Sequence, residues 1–268
     1  MLQQSSLFRN EASTISKPSD LRILTLNIQN PSIERAKTQF DWLLNTNCNI
    51  LILTEAKYSK GCTRLVELLD EHGYYTFYPS NSDGDYISII ATKGLLGTTF
   101  DLQIRFLPQR VQAIEIETAT ERLCLVGMYV PTNDRNDETN AKKVQFQDQI
   151  IKTISALYEK DESIKLIICG DLNVLEPGHI PSYGHLVRWE YFYQSLLQHQ
   201  MEDAFRVLHP KEVVHSWYSP QGNGQRLDHF LISKSVKRYL VECAYNHEPR
   251  ELGISDHSAM LLRLIMNR

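Results

Sequence analysis

The sequence predicts a layered α/β domain, and three observations predict it. The chain orders into a strand, a helix and a second strand between residues 21 and 55. It later presents a long amphipathic helix over 138–160 that leads into a strand from Lys165 with an apolar run that ends in glycine. No Pro/Gly/Ser-rich linker or short-period repeat divides the stretch between. At 268 residues and 42% hydrophobic content the chain can bury a substantial core.

Residues 1–20 are polar and Ser-rich without periodicity, which predicts a flexible leader before a domain spanning 21–268. Residues 21–28 alternate and then become apolar, as a strand does. Pro31-Ser32 then starts a helix whose Ile33, Ala36, Phe40, Leu43 and Leu44 fall on one face. Residues 49–54 form a second buried strand that ends on Glu55. Further strands are predicted at 74–78, 86–92, 111–117 and 123–130, the last two separated by Thr118-Ala119-Thr120-Glu121 as in a hairpin. Two prolines and two glycines mark 174–184 as a loop, a helix follows at 189–199, and closing strands are expected at 213–218, 226–233, 236–245 and 258–264.

Net charge is -4, from 28 basic and 32 acidic residues, which argues against a strongly nonspecific nucleic-acid binder but allows a local basic rim. Candidates for such a rim are Lys57, Lys60, Arg105, Arg110, Arg135, Lys142, Lys143, Arg188 and Arg206. Five scattered cysteines without a C-x-x-C pair suggest neither a disulfide framework nor a zinc knuckle, and Cys124 and Cys169 lie in apolar, core-like runs. No window reaches the ~18 apolar residues of a membrane span, and no N-terminal segment has signal length. The expectation is a soluble, cytoplasmic protein with no obligate protein partner.

The run Ile167-Ile168-Cys169-Gly170-Asp171-Leu172-Asn173 ends abruptly in glycine and two oxygen-bearing side chains. In an extended stretch Asp171 and Asn173 share a face and converge on one ligand; equally, both residue types suit a turn that bonds its own backbone. Asn27, Glu55, Asp228 and the pair Asp256-His257 interrupt or end other apolar runs in the same way. Several acids buried together without a cation raise one another's pKa, so a bound divalent ion is the economical explanation. Carboxylate and amide oxygens favour magnesium, with manganese as a substitute, over zinc. His179 and His185 lack zinc-type spacing and read as loop or surface residues.

Six motifs in order resemble those of the endonuclease/exonuclease/phosphatase superfamily: Leu24-Thr25-Leu26-Asn27, Leu53-Thr54-Glu55-Ala56, Tyr129-Val130-Pro131, Gly170-Asp171-Leu172-Asn173, Arg226-Leu227-Asp228-His229-Phe230 and Ser255-Asp256-His257. Met201-Glu202-Asp203-Ala204-Phe205-Arg206, His209-Pro210 and His215-Ser216-Trp217 look most similar to its exonuclease III branch of DNA-repair nucleases. The resemblance covers residues 21 to about 265 and implies a four-layer α/β/β/α sandwich, two mixed sheets face to face with helices outside.

It further implies that Glu55 binds the metal with Asn27 and Asp256 nearby, and that Asp171 activates water which Asn173 orients. Tyr129 would touch the scissile phosphate, and His257, held by Asp228, would stabilise charge on the phosphoryl oxygens. Trp217, Leu227 and Arg226 are the implied substrate-binding residues, with DNA as the substrate. Gln29, Thr132 and Gln225 depart from the family pattern, and the 219–224 loop is short. Two alternatives stay open: the same site acting on a lipid headgroup, an inositol phosphate or another small phosphoester, and a non-catalytic binding module.

Overall fold

A computed structural model describes residues 19–133 and 137–266. The leader expected at the N-terminus lies, up to residue 18, outside the described residues, and Asp20 already belongs to a strand. The order is β1 (Asp20–Asn27), α1 (Ile33–Asn45), β2 (Ile50–Ala56), α2 (Lys60–Glu71), β3 (Tyr74–Phe77), β4 (Ile87–Lys93), β5 (Gly97–Thr99), β6 (Val111–Glu117), β7 (Arg122–Tyr129), α3 (Asp137–Lys160) and β8 (Leu166–Asp171). It continues with α4 (Glu190–Gln198), β9 (Met201–Asp203), α5 (Ala204–Leu208), β10 (Trp217–Tyr218), β11 (Gly224–Gln225), β12 (Asp228–Ser233), β13 (Leu240–Asn246), α6 (Glu248–Glu251) and β14 (Ala259–Ile265).

Two six-stranded sheets carry the fold, ordered β13-β14-β1-β2-β4-β3 and β5-β6-β7-β8-β12-β9, with β10 and β11 as a small separate ribbon. Both sheets are mixed, because β1 with β2 and β7 with β8 pair in parallel while the other pairs run antiparallel. Parallel neighbours need a crossover, which α1 supplies in one sheet and α3 in the other. The side chains facing between the sheets, among them Ile23, Ile52, Ile90, Leu125, Ile167, Phe230 and Met260, form one core cluster. A second cluster packs α3 and α4 on one sheet, and a third packs α1 and α2 on the other. The result is the four-layer sandwich. The layers pack closely, for a Cβ added at Gly127 would lie 2.6 Å from Ile52 Cγ2 of the opposite sheet.

Capping explains both helix starts on the first sheet. Ser32 Oγ accepts the Arg35 N–H at 3.2 Å and Ser59 Oγ accepts the Cys62 N–H at 3.3 Å. Helix α2 is absent from the sequence reading, although Cys62, Leu65, Val66 and Leu69 repeat at helical spacing and are buried. The expected strand at 213–218 reduces to Trp217–Tyr218, and the one expected from 236 begins at Leu240, after a 3-10 turn over Lys237–Tyr239. All five cysteines are free and buried. Among the described residues no helix is long and apolar enough to cross a membrane.

Candidate active site

The polar ends of strands from both sheets meet at one edge. Tyr129 on β7, Asp171 on β8 and Asp228 on β12 occupy one rung, Asp171 being the partner of both others, so the three side chains share a face. From the opposite sheet Asn27, the last residue of β1, reaches across and donates its Nδ2 to Asp171 Oδ2 at 3.0 Å. The same Nδ2 lies 3.5 Å from His257 Nε2. His257 is held from behind, with Nδ1 2.8 Å from Asp228 Oδ2, an arrangement in which the ring donates to the carboxylate. Its loop is fixed by Ser255, whose Oγ donates to the Asn27 carbonyl at 2.6 Å and accepts the His257 N–H at 3.0 Å.

Two backbone distortions aim the site. Glu55 has φ 53 where the β2–β4 register shifts between Leu53 and Ala56, so a bulge turns its side chain out of the ladder. Asn173 has φ 49. Its N–H donates to Asp171 Oδ1 at 3.0 Å and its Nδ2 to the Val130 carbonyl at 2.9 Å. The backbone-bonding turn therefore describes this pair, and the expectation of two side chains on one extended face is corrected: the strand ends at Asp171 and the next turn is left-handed.

Burial dominates the electrostatics. It raises the Asp171 carboxyl well above the usual carboxylate range; His257 opposes the rise, and the neighbouring Asp228 and Glu55 add to it. Burial works against a charged His257, but the Asp228 and Asp171 carboxylates prevail and lift the ring above its ordinary value. The Tyr129 phenol is pushed up by burial and by the Glu55 and Asp171 charges, and it hydrogen-bonds Glu55. Beside it Arg110 grips Asp85 through Nε at 3.0 Å and Nη2 at 2.6 Å, and its guanidinium lies 4.8 Å from the Tyr129 ring centre. Lys57 Nζ sits 4.2 Å from the centre of the Tyr86 ring, which in turn packs edge-on against Tyr129 at 5.2 Å.

No protein-family model matches the sequence. Over 263 residues the chain is 22% identical to an exodeoxyribonuclease of Bacillus subtilis, covering 92% of this chain and 100% of that one. It is 27% identical over 197 residues to a DNA-(apurinic or apyrimidinic site) endonuclease of Arabidopsis thaliana, spanning 58% of this chain and 50% of that protein. In three dimensions it superposes on an AP endonuclease from Archaeoglobus fulgidus with a TM-score of 0.76, at 23% identity and over 91% of this chain and 99% of that one. The chain is a relative of the exonuclease III and abasic-endonuclease proteins and has their fold.

Within this exonuclease III fold the donor set can be tested against a divalent ion. Burial, with Asp228 and Glu55 adding to it, outweighs His257 in raising Asp171, and Asp228 Oδ1 is buried without a hydrogen-bond partner. Among the described residues no three His, Cys, Asp or Glu side chains form a ready-made metal cluster. One carboxylate and one amide oxygen, completed by water and substrate phosphate, suit magnesium or manganese and not zinc. Glu55 and Asn27 fit that description, while Asn27 Oδ1 already accepts the Gln29 N–H at 3.0 Å. Asp256 is exposed, and its Oδ2 accepts the Trp217 indole N–H at 3.0 Å, which gives it a role in placing the indole. The Trp217 ring is half-buried, 6.4 Å from the His257 ring centre.

Several sequence expectations are corrected. Arg226 does not face substrate: it is fully buried, with Nε 3.0 Å from Glu176 Oε1 and Nη2 2.8 Å from Glu176 Oε2 and 2.6 Å from Asp203 Oδ2. Leu227 is buried in the α3/α4 core cluster. Arg206 is drawn off the rim by Glu176, and Lys143 is fully buried. Lys142 is paired with Glu138 at 2.8 Å, and Arg188 is exposed over the Trp189 ring. Arg135 lies outside the described residues. His179 lies in the loop as expected but is buried there, and its Nε2 accepts the Arg226 N–H at 3.1 Å. Arg110 has a firm place beside the site, packed on Tyr129.

Proposed function

We propose that the chain, with residues 21–268 as its catalytic unit, is a magnesium-dependent phosphodiesterase acting on DNA, as an abasic-site endonuclease, a 3′ exonuclease or both. The observation that carries the reading is that Asn27 contacts both Asp171 and His257 while His257 contacts Asp228, four buried polar side chains brought together at one edge of the two sheets. Buried titratable groups with shifted pKa values cluster at functional sites, and here they converge from both sheets on one edge. The relatives' names, exodeoxyribonuclease and DNA-(apurinic or apyrimidinic site) endonuclease, support DNA over a lipid or small phosphoester.

In this mechanism Asp171 accepts the proton of the attacking water, its carboxylate oriented by the Asn173 N–H and the Asn27 amide. His257, with Nδ1 committed to Asp228, turns Nε2 toward the phosphoryl oxygens and meets their growing charge. Tyr129 donates at the phosphate from its rung beside Asp171. Glu55 and Asn27 would hold the magnesium ion, which when bound neutralises phosphate oxygens and polarises the ester. Trp217 offers an aromatic wall for the sugar next to the broken bond.

Purified protein incubated with abasic duplex, recessed 3′ ends and a panel of small phosphoesters gives the test. The expected result is nicking or 3′ resection that needs magnesium or manganese, stops with a chelator and is lost in Asp171→Asn and His257→Gln. Folded protein that cleaves no DNA with either ion, or that prefers a small phosphoester in kcat/KM, would sink the proposal.

A further inference from the structure

Lys143, on α3, is fully buried, although lysine is almost never so unless paired. Its ammonium donates to the backbone carbonyl of Asn173 at 2.6 Å, and the Trp189 ring centre lies 5.0 Å away. Burial pushes the ammonium down to about 7, with Asp171 opposing that shift and Arg188 adding to it. A methionine would fill the same stem volume without the cost of desolvating a charge, so core packing gives no reason for lysine here.

A reason lies at the other end of the hydrogen bond. Asn173 is in the left-handed region, uncommon for a residue with a side chain. It is tied at three points: its N–H to Asp171 Oδ1, its Nδ2 to the Val130 carbonyl, and its own carbonyl to Lys143. The first two ties aim the Asp171 carboxylate and anchor the turn to the end of β7. The third reaches the turn from the helix layer beneath, where α3 buries Lys143 and, one turn on, Gln147, and it is the Lys143 ammonium that meets the Asn173 carbonyl.

We propose that Lys143 is a positioning residue: by holding the Asn173 carbonyl it locks the 171–173 turn, and so sets the angle at which Asp171 faces the attacking water. It acts through Asn173 and does not touch substrate. The inference rests on the nuclease reading above.

Lys143→Met and Lys143→Arg, assayed on the DNA that the unaltered protein cleaves, test it. A carboxylate turned slightly off its line costs rate and not affinity, so Lys143→Met should lower kcat about 10- to 100-fold. Its KM should stay within about twofold. Its melting temperature should change little, because loss of the buried charge offsets the Asn173 carbonyl left without a donor. Lys143→Arg, which keeps a donor, should recover most of the lost kcat. A lysine that only tethered α3 would give the opposite pattern, lower stability with kcat preserved. The proposal falls if kcat of Lys143→Met is within about twofold of the unaltered protein, or if the loss of rate simply follows a loss of folded protein. Should Lys143→Met fail to fold, Lys143→Gln is judged by the same criteria. Amide hydrogen exchange at Asn173 separates this inference from the functional one. Faster exchange there alone in Lys143→Met supports the lock even in a protein without nuclease activity, and unchanged exchange overturns it.

Discussion

Replacing Arg226 by Met removes a guanidinium that is fully buried and leaves its partners in place. Glu176 and Asp203 have side chains only 9% and 2% exposed, so neither recovers its lost bond from water. Breaking a buried pair from one side costs about 3–5 kcal/mol, a large share of the 5–15 kcal/mol typical of a domain. For a chain of this size that is a fall in melting temperature of roughly 6–20 °C. Urea unfolding at several pH values is the assay, and its sign follows from the two acids. Burial raises both carboxyls, yet Arg226 and His229 around Asp203, and Arg206 and Arg226 around Glu176, outweigh it and leave both lowered. Groups with depressed values stabilise fully above the unfolded carboxylate range of about 4, and lose that contribution as pH falls through their folded values. In Arg226→Met the stranded acids take up protons at higher pH, so the stability gap should be widest near neutrality and shrink below about pH 5. A gap under about 1 kcal/mol, or one that ignores pH, would refute the assignment of Arg226 to a structural ion network.

Asp228→Asn keeps the shape behind His257 but removes the charge that fixes its tautomer, and kcat should drop about 10²- to 10⁴-fold with the fold retained by circular dichroism; a loss of less than about fivefold would take Asp228 out of the mechanism. Gly61→Ala places a Cβ 1.8 Å from the Pro31 carbonyl oxygen, where backbone meets backbone between α1 and α2. It should destabilise by about 1–3 kcal/mol or more in chemical denaturation, and a neutral substitution would mean that the two helix starts can part freely.

What the sequence made legible was local. The strand at 111–117 is found at those bounds, and α1 starts behind the Ser32 cap, because alternation, periodicity and capping are written in consecutive residues. Motif order pointed to Asn27, Asp171, Asp228 and His257, which meet although Asn27 and His257 stand 230 residues apart. Ligation and partner choice were less legible. Arg226 looks like a substrate contact beside Asp228 until Glu176, 50 residues away, and Asp203, 23 away, are seen to claim it. Lys143 reads as surface charge beside Lys142, since no local pattern announces the loop carbonyl it meets. The left-handed turns at Glu55 and Asn173 were also hidden, for neither residue type requires that conformation and only the surroundings impose it.

The contact between Asn27 and Asp171 joins residues that belong to different sheets, and nothing covalent or ladder-like sets their 3.0 Å separation. It is set by how two apolar faces interlock several residues away, Gly127 against Ile52 among them. A slide of one sheet over the other by a single side-chain notch would leave almost the same area buried and every ladder intact while pulling the site apart. Rate is therefore a finer gauge of sheet registration than any measure of folded content. Under mild denaturant or heating, cleavage should fade while secondary structure persists, and core substitutions far from the phosphate should register first as slow enzyme.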